Sequence, residues 1–398
     1  MNKIERMLQE LCPEGVEYKK LIDICSLSRG KVYSKTYLSE NMGDNPVYSS
    51  QTANNGELGK ISTYDYDGEF LTWTTDGAYA GTIFHRKGKF SITNVCGLIS
   101  LKSKNVLLRF LYYWLGIEAP KHVYQGMGNP KLMSNQMEHI EIPVPPLPIQ
   151  EEIIRILDHF TELTASLQAE LQARQEQYEY YRNKLLTFDA GSVTWMRMSE
   201  ILVSIRTGLN PRRFFKLNTP DARNYYVTIR EIKGGRLCFS EKTDRINNEA
   251  LKLCNNRSNL EIGDVLFSGT GTIGETFVIT ENPTNWNIKE GVYSLKTKKE
   301  IINPSYLRYI LMAKHIRDSY MAKVEGGTVK SISMKLLGDL KIPVPSLSKQ
   351  QSIVSILDKF ETLVNDLSQG LPAEIAAVQE QYEYYRNKLL TFNRIQSN

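Results

Sequence analysis

Two stretches of this 398-residue chain hold residue types that could do chemistry. Asp221 follows a proline, and Glu231-Ile232-Lys233 lies downstream, the formal arrangement in which two carboxylates hold a divalent metal and a lysine polarises water or phosphate. On that reading Asp221, Glu231 and Lys233 make a self-contained Mg-dependent nuclease. Against it, Asp221 sits in an Asn/Thr/Pro-rich loop, Lys233 opens the turn Lys233-Gly234-Gly235, and the first half of the chain has no counterpart. The second stretch is Gly269-Thr270-Gly271-Thr272-Ile273-Gly274, a literal GxGxxG behind the strand-like residues 264–268. A dinucleotide fingerprint needs a helix next. Residues 275–280 are β-branched and read as a strand instead. The glycines therefore fit a turn whose N–H groups, with the hydroxyls of Thr270 and Thr272, can meet a phosphate backbone. An analogous turn over residues 74–82 contains Thr75. The five histidines show no ligand spacing and the five cysteines no CxxC pair, so no metal site and free thiols are expected. No Asn/Asp-Pro-Pro-aromatic segment occurs, so base methylation by this chain itself is not expected.

The elements that must position such residues are organised by repetition. QEQYEYYRNKLLTF occurs from Gln175 to Phe188 and again, unchanged, from Gln379 to Phe392. Upstream, IPVPPLPIQEEIIRILDHF from Ile142 matches IPVPSLSKQQSIVSILDKF from Ile342, so the second copy carries four extra residues. Each copy opens with a Pro-rich segment, which favours extended structure and marks a domain exit. A helix follows. Ile153, Leu157, Phe160, Leu167, Leu171, Tyr178, Tyr181, Leu185 and Phe188 fall on 3/4 spacing, with Thr164 and Arg174 at the two skipped positions. The second copy gives Ile353, Leu357, Phe360, Val364, Leu367, Leu371, Ile375, Val378, Tyr382, Tyr385, Leu389 and Phe392, with Gly370 and Pro372 predicted to kink it. A helix of nearly forty residues is about 55 to 60 Å long, more than one domain needs, and reads as a spacer. Two such seams are expected to pair as an antiparallel coiled coil, with a globular mixed α/β head at the far end of each.

The heads correspond only loosely. LIDICSLSRGK around Gly30 resembles SEILVSIRTGL around Gly208, and GNPKLMSNQMEHIEIPVP from Gly128 lies ungapped over TVKSISMKLLGDLKIPVP from Thr328. Identical helix ends beside drifted heads suggest one shared partner for the helices and a different ligand for each head. The formal charge is +5 overall, but residues 189–348 carry +8 and residues 1–148 only +1. Such a distribution places any polyanion on the heads, where Lys and Arg can neutralise phosphates. Arg and Lys suit phosphates and guanine edges, Asn and Gln adenine, Ser and Thr either. The candidates for DNA contact are Arg29, Lys31, Lys35, Gln51, Thr75, Lys121, Gln125, Asn129 and Lys131 in the first half. In the second half they are Arg206, Arg212, Arg213, Arg223, Arg236, Thr270, Thr272, Lys323, Thr328 and Lys330. Tyr178, Tyr181, Arg182, Tyr382, Tyr385 and Arg386 are candidates for helix pairing or subunit docking.

With IPVPPL…QEEIIRILD, IPVPSL…QQSIVSILD, the two QYEYYRNKLLTF ends, the glycines at Gly30 and Gly208 and the turn GDVLFSGTGTIGE from Gly263, the chain resembles the specificity subunits of Type I restriction-modification systems. The resemblance implies two target-recognition domains, residues 1–148 and 189–348, each followed by a spacer helix, residues 149–188 and 349–398. It implies a non-catalytic protein that reads a bipartite, asymmetric sequence in double-stranded DNA. It further implies no cofactor in this chain, two methyltransferase subunits that use S-adenosylmethionine, and restriction subunits that use ATP and Mg. The charged N-terminus MNKIERMLQEL lacks the apolar run of a secretory signal, no segment resembles a membrane span, and a cytoplasmic protein is expected.

Overall fold

The computed structural model describes residues 3–126, 128–189, 191–324, 330–365 and 370–395. It divides into two compact units, residues 1–166 with 376–398, and residues 167–375.

In the first unit six strands form one sheet: β1 (Cys25–Arg29), β2 (Met42–Tyr48), β3 (Glu57–Ile61), β4 (Tyr66–Thr74), β5 (Ile83–Ile92) and β6 (Cys96–Leu101). Their order is β1-β6-β4-β5-β2-β3, antiparallel except where the end of β2 runs alongside the end of β5 through Val47 and Tyr48. Helix α1 (Leu108–Glu118) follows the sheet, and Leu71, Trp73, Ile99, Phe110, Leu111 and Leu115 are fully buried in the common core. The Pro-rich exit is a strand: Glu141–Pro143 pairs antiparallel with Tyr18–Lys20, so the chain leaves the head beside the point where it entered. From that exit α2 (Leu147–Leu185) runs as one unbroken helix of 39 residues.

The second unit repeats the plan with shorter pieces. Strands β7 (Leu202–Thr207), β8 (Val265–Ser268), β9 (Thr276–Val278) and β10 (Val292–Thr297) form an antiparallel sheet in the order β7-β10-β8-β9. The long strand β5 of the first unit has become two, β9 and Trp286–Ile288, separated by a segment that contains Pro283. Trp286–Ile288 keeps the parallel neighbour that the end of β5 has, here Asn224–Val227. Helix α3 (Pro304–Met312) buries Tyr306, Leu307, Tyr309 and Ile310 against the sheet, and Lys341–Val344 leaves beside Thr194–Arg197. Two helices follow, α4 (Leu347–Asn365) and α5 (Leu371–Leu389). The expected interruption thus falls just before Pro372, at a helix start where the missing N–H is not needed. Leu367 of the predicted seam lies outside the described residues.

The seam residues do bury. Ile153, Leu157, Leu167 and Tyr178 on α2 and Ile353, Leu357, Val364, Leu371, Ile375, Val378 and Leu389 on α4 and α5 are buried, while Tyr385 is the exposed exception at 40%. In the first unit Phe160, on the N-terminal half of α2, stacks on Tyr385 of the C-terminal half of α5 at 5.6 Å. In the second unit Phe360 of α4 stacks on Tyr181, near the end of α2, at 5.5 Å. In both units the beginning of one rod meets the end of the other, the sense of an antiparallel pair.

One buried amide ties each head to its rod. Gln150 Oε1 accepts from Leu107 N at 2.8 Å, while its Nε2 donates to Asn105 O at 2.8 Å and Pro145 O at 2.7 Å. Gln350 does the same with Asn303 N at 2.8 Å, Ile301 O at 2.9 Å and Pro345 O at 2.8 Å. Two turns further on, Tyr113 OH donates to Asp158 at 2.5 Å and Tyr309 OH to Asp358 at 2.6 Å. Beside them Arg109 pairs with Asp158 at 2.8 Å, and buried Arg308 grips Glu361 with both terminal nitrogens. Replacing Gln150 or Gln350 by Leu keeps the volume but strands three backbone groups at a site closed to water. The expected loss is about 3 kcal/mol, read as a lower urea midpoint at unchanged slope.

Candidate nucleic-acid interface

The turns after β4 and β8, so unlike in sequence, are built alike. Gly77 N donates to Pro130 O at 3.0 Å and Leu132 N to Thr75 O at 2.9 Å; Gly271 N donates to Lys330 O and Ile332 N to Gly269 O, both at 2.9 Å. Each turn is therefore zipped to the segment that precedes the last short helix of its head. An aromatic ring locks the zipper from below: Trp73 Nε1 donates to Leu132 O at 2.9 Å, and Tyr293 OH to Ile332 O at 2.7 Å. The rings come from different strands, Trp73 from β4 of the first head and Tyr293 from β10 of the second, and a glycine opposite makes room for each. A Cβ on Gly97 would stand 2.2 Å from the Trp73 ring, and one on Gly269 2.2 Å from the Tyr293 ring. At the apex Gly77 and Gly271 take φ of +102° and +82°, and a Cβ on either would meet nothing within 4 Å, so both apices face open space.

The glycines at the end of β1 and β7 serve packing rather than ligand approach. A Cβ on Gly30 would lie 1.9 Å from Ile92 O, and one on Gly208 1.7 Å from Ile288 O, because the chain crosses a neighbouring strand there. In the GxGxxG stretch, Gly269 makes room for Tyr293 and Gly274, at φ +95°, packs against the Tyr320 hydroxyl; a strand follows, as the β-branched residues predict.

The first head brings three of the candidates to its open turn. Tyr124 and Lys131 exchange backbone hydrogen bonds at 2.8 and 3.1 Å, which places exposed Gln125, Asn129 and Lys131 on the hairpin zipped to Gly77. Lys131 Nζ stands 3.8 Å from Asp76, a loose pair. Thr75 leaves the set: it is fully buried, and its hydroxyl donates to Val95 O at 2.8 Å. Gln51 bonds the backbone of its own hairpin at Glu57, Lys121 pairs with Glu118 at 2.7 Å, and Arg29 donates to Asn94 O at 3.2 Å and Ser134 Oγ at 3.5 Å. Lys31 stands 2.6 Å from Asp65, which Tyr33 also contacts; burial raises the Asp65 pKa, but the hydrogen bonds from Lys31 and Tyr33 outweigh it and leave the carboxyl below its usual range. Lys35 begins the short exposed helix Lys35–Glu40.

In the second head Thr272 and Lys330 are the exposed candidates at the turn; Thr270 is half-buried there, and Thr328 lies outside the described residues. Arg206 lines a shallow pocket of about 390 Å³ with Arg257 and Met334. Arg212 and Arg213 are exposed on the helical turn Pro211–Phe214, and Arg223 donates to Pro220 O at 3.0 Å. Arg236 lies beside Phe277 and Trp286, and Lys323 lines an open pocket of about 670 Å³ with Trp195, Arg197 and Lys341.

On the rods, the seam absorbs most of the tyrosines singled out by spacing. Tyr178 is buried, Tyr181 stacks on Phe360, Tyr382 is half-buried near Phe160, and Arg182 and Arg386 lie over the rings of Tyr178 and Tyr382 at 5.1 and 5.3 Å. Sequence reasoning passed over Tyr180 and Tyr384, which face solvent at 59% and 60% exposure with Lys184 and Lys388 over their rings. Their positions off the apolar spacing were the signal that could have found them.

The model of the Type I restriction modification DNA specificity domain matches this chain twice, over residues 13–176 and 202–377. The chain belongs to the Type I restriction-modification DNA specificity family. A type I specificity subunit of Mycoplasma pneumoniae is 31% identical over 93% of this chain and 96% of its own length. The specificity subunit of the type I restriction enzyme MpnII, from the same organism, is 45% identical over 42% of this chain and 51% of its own length. A crystal structure of the S subunit of a Type I restriction-modification system from M. genitalium superimposes with a TM-score of 0.58 at 14% identity, covering 94% of this chain and 96% of that one. The fold is thus that of the family's S subunits, two specificity domains with their long helices.

Family membership also corrects the nuclease alternative, and the geometry gives the reason. Glu231 is buried and caps a helical turn, accepting from Thr228 N at 2.8 Å and Thr228 Oγ1 at 2.7 Å. Asp221 accepts from Asn247 at 3.0 Å, and among the described residues no group of three or more His, Cys, Asp or Glu could hold a metal. Members of this family are the non-catalytic recognition components of their complexes. Replacing Glu231 by Ala is expected to lower stability by about 1–2 kcal/mol through loss of the cap. A thermal melt reads that loss, and plasmid incubated with Mg should stay uncut by both proteins.

Proposed function

We propose that this chain supplies the address of a Type I restriction-modification complex, each head reading one half of a bipartite, asymmetric duplex sequence. The observation that carries this reading is the pair of matching turns with unlike tips. Gln125, Asn129 and Lys131 surround one open apex, Thr272 and Lys330 the other. Amides suit adenine edges, and lysine suits guanine or phosphate, so one scaffold with two sets of tips reads two different half-sites. Lys35, Arg206, Arg212, Arg213 and Arg223 extend the cationic surface of the heads toward the DNA backbone.

The chemistry belongs to partners. Two methyltransferase subunits carry S-adenosylmethionine, and restriction subunits carry ATP and Mg; this chain holds no cofactor of its own. The repeated rod ends support two like docking partners, because their outward residues Tyr180, Lys184, Tyr384 and Lys388 recur in the same arrangement. Among the described residues no helix is long and apolar enough to cross a membrane, and we place the complex in the cytoplasm, with the DNA it acts on.

Mapping methylated adenines in DNA exposed to the assembled complex tests the reading. Exchanging residues 189–348 for those of another family member should change one half-site and leave the other, whereas a change in both would count against independent heads. Lys131→Ala or Lys330→Ala, if its partner is a phosphate, should weaken binding to all sequences alike and reduce the salt slope by about one.

A further inference from the structure

The first head buries a charge that its fold does not pair. Arg86, on β5, is only 2% exposed. Its guanidinium lies 3.6 Å from the centre of the Tyr48 ring and 4.3 Å from that of Phe84, and Nε donates to Thr72 Oγ1 at 3.3 Å. Rings satisfy the faces of a guanidinium but not the N–H groups at its edge. Nη2 is closed to solvent and has no hydrogen-bond partner. Burial lowers the pKa of the group, and of the groups that oppose this shift Glu57 is the one carboxylate. Among the described residues no ion pair joins the two.

The second head shows that a charge is not needed there. Counted across the sheets from Gly30 and Gly208, Trp73 falls on Phe267. Trp73 pairs with Ile83 and Phe267 with Thr276, so Arg86 falls on Ile279 and Thr72 on Leu266. Tyr48, beside Ile92, falls on Val227, beside Ile288. Val227, Leu266 and Ile279 pack in one apolar cluster, and Ile279 is 1% exposed. A buried cation without a counter-charge lowers stability where an apolar side chain would raise it. Arg86 thus works against the stability of the head that carries it.

What lies over Nη2 is the tip of the hairpin between β2 and β3. A Cβ on Gly56 would stand 2.9 Å from Nη2, so a glycine there leaves the guanidinium directly beneath the tip. The chain is left-handed at three successive residues, with φ of 49° at Asn54, 52° at Asn55 and 78° at Gly56. Gln51, Asn54 and Asn55 are exposed. The tip also stands at the end of the sheet that carries the open turn. Thr93 Oγ1 donates to Ser49 Oγ at 3.1 Å, and two residues on Val95 O accepts from Thr75 N at 3.3 Å. We propose that the tip from Gln51 to Gly56, with Arg86 beneath it, seats one phosphate of the DNA backbone beside the first half-site. The amides of Asn54 and Asn55 meet the phosphate, and Arg86 supplies charge from within, where salt screens it least. With Ile279 in its place, the second head lacks that charge. The inference rests on the reading that the heads hold DNA.

Arg86→Met keeps an unbranched side chain over Tyr48 and removes the charge. The probe is a fluorescein-labelled duplex carrying the mapped target, titrated with the assembled complex and followed by anisotropy. The variant complex should bind it roughly three- to tenfold more weakly, with a log–log salt slope shallower by about one and both methylated half-sites unchanged. The variant chain should melt at the same temperature or higher. Duplexes with single neutral methylphosphonates locate the contact. At one position beside the first half-site the modification should weaken binding by the unaltered complex and leave binding by the variant as it was. A lowered melting temperature would overturn the proposal by making Arg86 a packing residue. An altered half-site would overturn it by making Arg86 a reader of bases, and so would methylphosphonates that weaken both complexes alike. Failure of the unaltered complex to hold its mapped target would instead overturn the recognition reading, and this inference with it.

Discussion

A head that reads bases through side chains must keep its orientation on the helix that carries it, and a proline-rich strand alone would leave a hinge. In each unit that hinge is closed by one glutamine amide. Gln150 and Gln350 are fully buried and use their acceptor and both donor hydrogens on the backbone before and after the hinge. A buried amide so satisfied has no other low-energy position, because any rotation strands polar groups in a medium that cannot solvate them. The Tyr113–Asp158 and Tyr309–Asp358 bonds, two turns along the rods, add a second point of attachment to each head. Two points fix a direction where one would leave a swivel. Each head is thereby fixed to the first turns of the helix that follows it.

The sequence was legible where a period or an exact repeat carried the information. The seams, the Pro-rich exits and the strand after Gly274 could be read because burial in a paired helix imposes 3/4 spacing and β-branched residues disfavour a helix. The glutamines could not, since a polar residue in the first turn of a long helix looks like an ordinary solvated one. Nor could the lock beneath the open turns. Trp73 and Tyr293 do the same work from different strands, each opposite its own glycine, so neither ring aligns with the other in sequence. The pairing of two cation candidates was hidden for a third reason: Lys31 and Lys121 meet acids, and for Lys31 that acid lies far along the chain and meets it only in the fold.

The pattern of divergence follows from what each position must satisfy. Positions that close the head onto the rod have kept residue type across the two copies, as in Gln150 with Gln350, both buried, and Asp158 with Asp358. The tips of the turns have not, and they are exposed, where substitution changes stability by only about half a kcal/mol in either direction. A scaffold arranged this way can change what it reads without changing how it folds. The second head has gone further, splitting one long strand in two, yet the zipper between turn and exit segment survives intact.

The rods obey a different rule, and it bears on what they touch. Packing within the seam accounts for the identity of Tyr178 with Tyr382, and of Tyr181 with Tyr385. It does not account for Tyr180 and Tyr384, which face solvent with Lys184 and Lys388 over their rings; of the two lysines, Lys388 also pairs with Glu5 at 3.7 Å. Surface residues with nothing to contact drift first, as the heads show. Outward residues that stay the same while the helix starts diverge, as at Glu152 against Ser352, are what a common partner on both rods would preserve. At Glu152 itself the first rod holds Lys3 of the N-terminal helix Lys3–Leu11 at 3.0 Å, a contact for which Ser352 carries no charge.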